Sequence, residues 1–156
     1  MAWSASKIFT ATVTDVMNNT TAMDVNSDTH KAALYNNSIT PDQTVASANT
    51  AYNAGQWALA NEVSDGTNWH AGGEALTSVT SAFASNVYTF DAADTPSATS
   101  AATLAGVFGC LVYDSTIATP VASQGWCYNY FGGTNSVTSG TFTIVWNASG
   151  ILTLTL

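Results

Sequence analysis

The fold is decided by residues 103–156, which read TLAGVFGCLVYDSTIATPVASQGWCYNYFGGTNSVTSGTFTIVWNASGILTLTL. Towards the end of this segment, apolar side chains alternate with threonine and one valine. The alternating apolar positions are Phe142, Ile144, Trp146, Leu152, Leu154 and Leu156. A side-chain period of two is typical of β-strands, and threonine on the opposite face suits a solvated or neighbour-paired sheet surface.

Four consecutive strands are predicted from this segment: Ala102–Tyr113, Val121–Phe131, Thr141–Trp146 and Ile151–Leu156. Turn-rich loops separate them, at residues 114–120, 132–135 and 147–150. The last loop, Asn147-Ala148-Ser149-Gly150, ends in a glycine and predicts a hairpin between two short strands. Such a meander must bury its aromatic face, and we expect earlier strands of the chain to cover it.

The upstream part of the chain predicts shorter elements. A helix is expected over Ser4–Asn18, although its β-branched residues also permit a strand. Further strands are predicted at His30–Asn36, Gln56–Val63, Glu74–Val79 and Asn86–Asp91, and a short helix at Thr44–Tyr52. We therefore expect a mainly β protein with a single domain over residues 1–156, of which residues 1–18 form an N-terminal arm or helix. Its architecture should be an antiparallel β-sandwich or flattened barrel of about seven or eight strands.

The chain is poor in charge. Only 8% of its 156 residues are charged, with no arginine, two lysines and ten acidic residues, so the formal net charge is −8. Proteins hold phosphate backbones with clustered lysine and arginine, so we expect no binding to nucleic acid. Binding to an anionic membrane surface is disfavoured for the same reason. A largely neutral surface suits a protein that joins a multi-subunit assembly.

No targeting or membrane-spanning segment is predicted. The N-terminal residues lack the apolar run that follows a basic start in secretory signals. No stretch reaches the roughly 20 apolar residues that a membrane helix needs. We therefore expect the protein to be made in a cytosol and to stay there until assembly or lysis.

Two cysteines, Cys110 and Cys127, lie in apolar runs on strands that are potential neighbours. A disulfide between them is geometrically possible. We favour two buried thiols, because free cysteine is among the most buried residue types. The cysteines and the two distant histidines do not have the spacing of a zinc site, and no metal or other cofactor is expected.

Catalytic chemistry is not expected from this sequence. His30 and His70 stand apart from each other, and no serine lies in a nucleophile elbow. The scarcity of positive charge also argues against an activated cysteine thiolate. Two acidic pairs, Glu62 with Asp65 and Asp91 with Asp94, flank turns, where capping of the turn is favoured over calcium binding. We therefore predict that the protein is not an enzyme.

Two segments are candidates for contact with a partner protein. In the N-terminal arm the candidate residues are Trp3, Lys7, Ile8 and Phe9. Trp3 in this arm fits either packing on its own domain or packing on a neighbouring subunit. The second segment is the loop that places Trp69 and His70 beside flexible glycines. Exposed aromatic residues are frequent at interface hot spots, although Trp69 equally fits a lid on the core.

An aromatic series lies on one predicted strand, at Trp126, Tyr128 and Tyr130. With a period of two, these three rings are expected on one face. Such a face suits either a platform on which sugars stack or the interior of a sheet, and we favour the interior.

Short blocks along nearly the whole chain carry a resemblance. They are Ala2–Phe9, Lys31–Asn37, Pro41-Asp42, Ala51–Trp57, Asn61–Val63, Gly72-Gly73, Gly109–Asp114, Asn129–Gly133, Ser139–Thr143 and Trp146–Ile151. The most distinctive block is Gly109–Asp114, which reads GCLVYD. In this order the blocks resemble small structural proteins of tailed double-stranded DNA phages, especially phages that infect actinobacteria.

The resemblance implies a virion component without enzymatic activity, and it assigns no functional residues. Our first hypothesis is a capsid decoration, or cement, protein that is assembled in the host cytoplasm. It would bind the major capsid protein on the outside of the head as an oligomer, with a trimer favoured. The alternatives are a minor tail or fibre-associated protein that contacts the host surface, and a carbohydrate-binding β module.

The N-terminal arm is the expected docking element of such a decoration protein. If so, deletion of residues 2–9 should abolish binding to the particle and leave the fold intact.

Overall fold

The structure is a computed structural model that describes residues 3–156, and these residues form ten β-strands and one α-helix, α1 (Thr10–Met17). The strands are β1 (Lys7–Ile8), β2 (His30–Tyr35), β3 (Glu74–Ala75), β4 (Thr80–Ala84), β5 (Val87–Asp91), β6 (Thr95–Pro96), β7 (Ala102–Asp114), β8 (Gly125–Gly140), β9 (Thr143–Ile144) and β10 (Leu152–Thr155). Three short 3₁₀ helices lie between β2 and β3, at Ser47–Asn49, Gly55–Trp57 and Leu59–Asn61.

The strands form three antiparallel sheets. The main sheet has the order β1-β8-β7-β2-β3, the small sheet has the order β10-β5-β4, and β6 pairs with β9 in a two-stranded ribbon. The prediction of a mainly β, antiparallel chain with one short helix near the N-terminus is therefore confirmed. The sheets pack in layers like a sandwich and do not close into a barrel.

The first core lies between the main sheet and the two smaller sheets. The main sheet contributes Ala32, Leu34, Cys110, Val112 and Cys127, and the other layer contributes Phe90 and Ile144. All seven of these side chains are buried. Their burial supplies the hydrophobic driving force that holds the layers together, at about 25 cal/mol per Å² of apolar surface.

A second core covers the opposite face of the main sheet. The sheet residues in it are Ala33, Tyr35, Leu111, Tyr113 and Tyr128, and the covering residues are Trp3, Phe9, Ile39 and Trp57. The N-terminal arm and the irregular segment after β2 thus replace the helix that covers a sheet in many folds. Burial on both faces explains why β2 and β7 read as continuous apolar runs.

The predicted N-terminal helix, Ser4–Asn18, is shortened to the eight residues of α1, because the preceding β1 pairs with β8. Its buried residue is Thr12, whose hydroxyl donates a hydrogen bond to the carbonyl oxygen of Gly125 at 2.5 Å. Met17, the last residue of α1, is 77% exposed.

The strand predicted at Gln56–Val63 is wrong. This segment forms two of the 3₁₀ helices, which bury Trp57 in the second core and leave Leu59 exposed. Its one strand-like contact with β2 is an isolated bridge between Glu62 and Tyr35. Packing of Trp57 on the main sheet therefore outweighs the strand propensity of these residues.

The hairpin predicted at residues 147–150 is also wrong. β9 pairs with β6 and β10 pairs with β5, so this loop crosses from the ribbon to the small sheet. The predicted side-chain alternation is nevertheless present before the loop, where Ile144 is buried and Val145 is 72% exposed. Alternation identifies strands, but the pairing partners of two short strands depend on the rest of the core.

Residues 132–135, predicted as a loop, belong to β8, which pairs with β7 along most of its length. Register shifts interrupt the pairing between the two strands. The sequence prediction also missed β4, because the turn from β4 to β5 has no glycine. Ser85 and Asn86 form this two-residue turn with φ angles of 50° and 64°, where Asn-Gly is the usual signal.

A bulge in β8 separates the aromatic residues of that strand. Val112 pairs with Cys127 and Tyr113 pairs with Gly125, which leaves Trp126 without an opposite residue. Trp126 and Cys127 therefore both lie in the first core, whereas Tyr128 lies in the second. The prediction that Trp126 shares a face with Tyr128 and Tyr130 is wrong for this reason.

Candidate interaction surface

The four candidate contact residues of the N-terminal arm have different environments. Trp3 and Phe9 are fully buried, Ile8 is half-buried and Lys7 is exposed. The indole N–H of Trp3 donates a hydrogen bond to the backbone oxygen of Asn36 at 2.9 Å. As the arm is folded, Trp3 and Phe9 offer no surface to a partner. Deletion of residues 2–9 would remove part of the second core, so the expectation that it leaves the fold intact is corrected.

The backbone of the loop around Trp69 donates several hydrogen bonds to one carboxylate. Asp65 accepts hydrogen bonds from the backbone N–H groups of Trp69 at 2.9 Å, Asn68 at 2.7 Å and Thr103 at 3.0 Å. These bonds, with that from Trp69 the strongest, hold the pKa of Asp65 well below its usual range. Trp69 itself is fully buried and packs edge-on against Phe142. Of the two interpretations of Trp69, the structure shows the lid on the core.

His70 is the exposed part of that loop, with 53% of its side chain accessible. Its ring nitrogen Nδ1 and its backbone N–H both contact Oε1 of Glu74, each at 2.8 Å. The histidine therefore fastens the loop to the start of β3. Because Trp69 beside it is buried, His70 offers a partner protein only a small surface.

All ten carboxylates of the chain accept a hydrogen bond from within the protein, and nine of them accept one from a backbone N–H group. These nine are Asp24, Asp28, Asp42, Glu62, Asp65, Glu74, Asp91, Asp94 and Asp114. The tenth, Asp15, accepts one from the side-chain amide of Gln124 at 2.8 Å. Acidic residues in this chain thus satisfy the donors of turns and loops. This outcome agrees with the turn-capping interpretation of the two acidic pairs.

One carboxylate lies in an aromatic setting. Glu62 accepts hydrogen bonds from the Tyr52 hydroxyl at 2.8 Å and from the Gly72 backbone at 2.6 Å. The Tyr113 hydroxyl donates to the Gly72 oxygen at 2.7 Å, and its ring stacks on Tyr52. Burial raises the pKa of Glu62. The cluster joins the irregular segment after β2 to the glycine-rich loop, and its groups are occupied by one another.

Asp114 and His30 face each other across β7 and β2 and are both fully buried by surface area. Burial, together with a contact with Asp28, raises the pKa of Asp114 to about 7. Burial lowers the pKa of His30. His30 packs between the rings of Phe90 and Trp126, so its role is in the core.

Cys110 and Cys127 are both free thiols and both fully buried, as we favoured. Burial raises the pKa of Cys110 well above its ordinary value and that of Cys127 to about 12. Neither thiol is set up as a nucleophile. Among residues 3–156, no group of three or more histidine, cysteine or acidic side chains has a geometry that would hold a metal ion.

A different surface stands out from the geometry, and we call it the seam. It is the gap between β1, the edge of the main sheet, and β10, the edge of the small sheet. A hollow of about 450 Å³ lies in the gap and is lined by Lys7 and Ile8 on one side and by Leu152 and Thr153 on the other. The seam is thus an unfilled gap between the edges of the two layers of the sandwich.

The seam continues into an apolar hollow of about 260 Å³ between α1 and β10. Its lining includes Val16, Met17, Tyr88, Trp126 and Leu154. Met17 is 77% exposed and Leu154 is 36% exposed. Leu156, next on the leucine face of β10, is 76% exposed.

A further exposed apolar residue lies on the opposite edge of the small sheet, where Phe83 of β4 is 60% exposed. Phe83, Tyr88 and Leu154 form one row across the three strands. Exposed contiguous apolar surface is the general kind of surface at which proteins contact partners, ligands or membranes. Sequence reasoning identified the leucine face of β10 but not its exposure, because the open edge is a property of the sheet order.

No known protein family, no curated protein and no solved structure matches the chain significantly. Within residues 3–156, no helix has the length and apolar character that crossing a membrane requires.

Proposed function

We propose that this protein is a non-enzymatic structural component of a phage virion and, more specifically, a capsid decoration protein that binds the outside of the head. The observation that carries the proposal is the row of exposed apolar side chains on the small sheet, together with the open seam beside it. A protein that leaves such a surface uncovered gains stability when another protein buries it. The resemblance of the sequence blocks to phage structural proteins supplies the biological setting.

The charge distribution supports the same proposal. The three strands that carry the exposed apolar row contain one charged residue, Asp91, so the row is bordered mainly by neutral residues. Binding to the major capsid protein would then rest on shape and apolar burial, with little dependence on salt. A stable contact of this kind needs about 1,000 Å² or more of buried surface, so several residues around Phe83 must take part.

The proposal is tested on purified particles with heads and tails separated, by counting copies per particle with quantitative mass spectrometry. A decoration protein is expected in hundreds of copies, on tail-less heads as well as on complete virions. A few copies that travel with tails would contradict the proposal and favour the minor tail or fibre-associated protein.

A pair of variants tests the surface. Phe83→Lys places a charge in the apolar row and is expected to lower occupancy on heads at least about tenfold, because a charge buried without a partner is costly. Thr134→Lys adds the same charge at an exposed position of β8 and serves as the control. Equal occupancy of both variants on heads would show that the row around Phe83 is not the contact surface.

The carbohydrate-binding alternative receives less support. Trp126 and Tyr128, two of the three rings proposed as a sugar platform, are 8% and 5% exposed and lie on opposite faces of the main sheet. Sugars stack on exposed aromatic faces, and these two rings do not offer one.

A further inference from the structure

We propose that β10 pairs with β10 of a second copy of this chain, antiparallel and about a two-fold axis at Leu154. The inference rests on the proposed function in one respect, namely that the exposed apolar surface is a protein contact. It concerns the purified protein in solution, so it can fail or succeed independently of the location on the virion.

The open edges of the two larger sheets differ in a way that points to β10. The edge strands of the main sheet, β1 and β3, have two residues each, and very short edges are a known protection against unwanted pairing. β8 extends beyond β1 with a free edge, but register shifts interrupt its pairing with β7 there, and such irregularities twist an edge away from a partner. The edge strands of the small sheet, β10 and β4, have four and five residues. Neither contains a charged residue or a proline, so both lack the usual devices that keep an edge from pairing.

The sequence of β10 and its next residue is palindromic. Residues 152–156 read LTLTL, with Leu154 at the centre. If two such strands pair antiparallel with Leu154 opposite Leu154, every leucine faces a leucine and every threonine faces a threonine. Matched pairs of this kind stabilise adjacent strands, and the register keeps both leucine faces on the same side of the joined sheet. The β4 sequence, TSAFA, has no such symmetry.

The backbone geometry of β10 fits the same pairing. The Leu156 N–H donates to the Asn86 oxygen at 2.9 Å, and Leu154 pairs with Tyr88, so the polar groups of the even-numbered residues turn towards β5. The polar groups of Thr153 and Thr155 therefore turn outwards, because they alternate along a strand. In the proposed register, Thr153 of one copy lies opposite Thr155 of the other. The two threonine pairs about the axis then exchange four hydrogen bonds.

Charge does not prevent a second copy from occupying this edge. Two chains that each carry a net charge of −8 repel each other, and they approach most easily where carboxylates are absent. The residues that line the hollows beside β10 include one charged residue, and that residue is the cation Lys7. Pairing there would also cover Leu154 and Leu156, which are exposed in the single chain.

This contact differs from the trimer expected from the sequence. A closed ring of copies would pair β10 with β4 of the next copy, and rotation about an axis along the strands would make that pairing parallel. Antiparallel pairing is slightly more stable per residue, and the leucine palindrome serves only the two-fold contact. The structure therefore favours a dimer through β10.

The test is disulfide trapping with Leu154→Cys. In the proposed register, residue 154 of one copy lies directly opposite residue 154 of the other, in a pair that exchanges no hydrogen bonds. The Cα atoms of such a pair are about 4.5 Å apart, which is within the range of a disulfide. Mild oxidation is expected to convert most of the protein to a covalent dimer on a non-reducing gel. The native Cys110 and Cys127 are fully buried and do not compete.

Phe83→Cys on the other edge is the matched control, and it should remain monomeric although Phe83 is the more exposed of the two residues. Cross-linking of L154C and F83C to the same extent would reveal random collision and overturn the proposal. Preferential cross-linking between the two variants in a mixture would indicate the parallel ring and overturn it as well.

A second pair of variants tests the outward hydrogen bonds by sedimentation. Thr155→Pro removes an N–H group that β5 does not use, so it should leave the fold intact and raise the dimer dissociation constant about tenfold or more. Thr155→Val keeps the N–H group and should leave the dissociation constant nearly unchanged. A T155P protein that dimerises like wild type would overturn the proposal. A dimer in solution with no copies on heads would instead contradict only the proposed function.

Discussion

At the scale of single residues, the acidic side chains explain how a chain with almost no positive charge folds. Each carboxylate accepts a hydrogen bond from its own chain, and Asp65 alone accepts four from backbone N–H groups. Hydrogen bonds to an ionised acceptor are stronger than neutral ones, and they need no cation nearby. The acidic side chains therefore stabilise the loops by accepting hydrogen bonds, and the fold does not depend on ion pairs with arginine.

We expect Asp65→Asn to lower the melting temperature. The amide NH₂ of asparagine would replace one carboxylate oxygen and would face backbone N–H groups that it cannot accept a hydrogen bond from. The pKa of Asp65 is lower in the folded chain than in the unfolded chain. Its stabilisation is thus present above the unfolded value of about 4 and is lost as the pH falls through the folded-state pKa. In thermal unfolding, the melting temperature of D65N should fall less between about pH 7 and pH 2 than that of wild type.

Asp94→Asn is the control for that experiment, because Asp94 accepts one backbone hydrogen bond, from Trp146. A D94N protein that loses as much stability as D65N would contradict a special role for Asp65.

At the scale of elements, the N-terminal arm is part of the fold. Trp3 packs against the rings of Trp57, Tyr128 and Tyr130, with centroid distances of 5.9, 6.1 and 6.3 Å. Gly109 on β7 leaves room for it, because a Cβ at that position would collide with the Trp3 ring. The arm therefore closes the second core as a helix closes one face of a sheet in other folds.

We expect Trp3→Ala to destabilise the protein by about 3–5 kcal/mol, the usual cost of removing a fully buried large aromatic side chain. Urea unfolding followed by circular dichroism measures the change. Met17→Ala is the matched control, since Met17 is 77% exposed and its loss should change stability by less than about 0.5 kcal/mol. If W3A is as stable as M17A, the arm is not part of the core.

At the scale of the whole molecule, the main sheet is covered on both faces and the small sheet is left with two open edges. The double cover buries polar groups along with apolar ones, and Asp114 at the end of β7 is the clearest case. The pKa of Asp114 is raised and that of Asp65 is lowered, so the two groups change the stability in opposite directions as the pH changes. The stability of the protein therefore has two pH-dependent contributions of opposite sign, which act in different pH ranges.

The contribution of Asp114 can be isolated with Asp114→Asn, which keeps an oxygen for the N–H groups of Thr116 and Ile117. The folded-state pKa of about 7 lies above the unfolded value of about 4. The stabilising effect of protonated Asp114 is thus complete below about pH 4 and is lost as the pH rises through about 7. The stability of D114N relative to wild type should increase over this range in urea unfolding, and a constant difference would contradict the assignment.

Sequence patterns were sufficient for the features that depend on local periodicity. The alternation around Ile144, the continuous apolar runs of β2 and β7, and the burial of both cysteines followed from residue type and spacing alone. The acidic turns were also predictable, because Asp and Glu beside turn residues commonly accept backbone hydrogen bonds. These features need no knowledge of which segments lie side by side.

Tertiary structure alone decided which strands are neighbours and which residues remain exposed. A single bulge moved Trp126 to the opposite face from Tyr128, and the pairing of β10 with β5 left its leucine edge open. Trp3 is buried because a glycine on a strand more than a hundred residues later makes room for it. The sequence of a segment determines how its apolar and polar side chains alternate. The neighbours that bury or expose those side chains are fixed only when all the segments pack together.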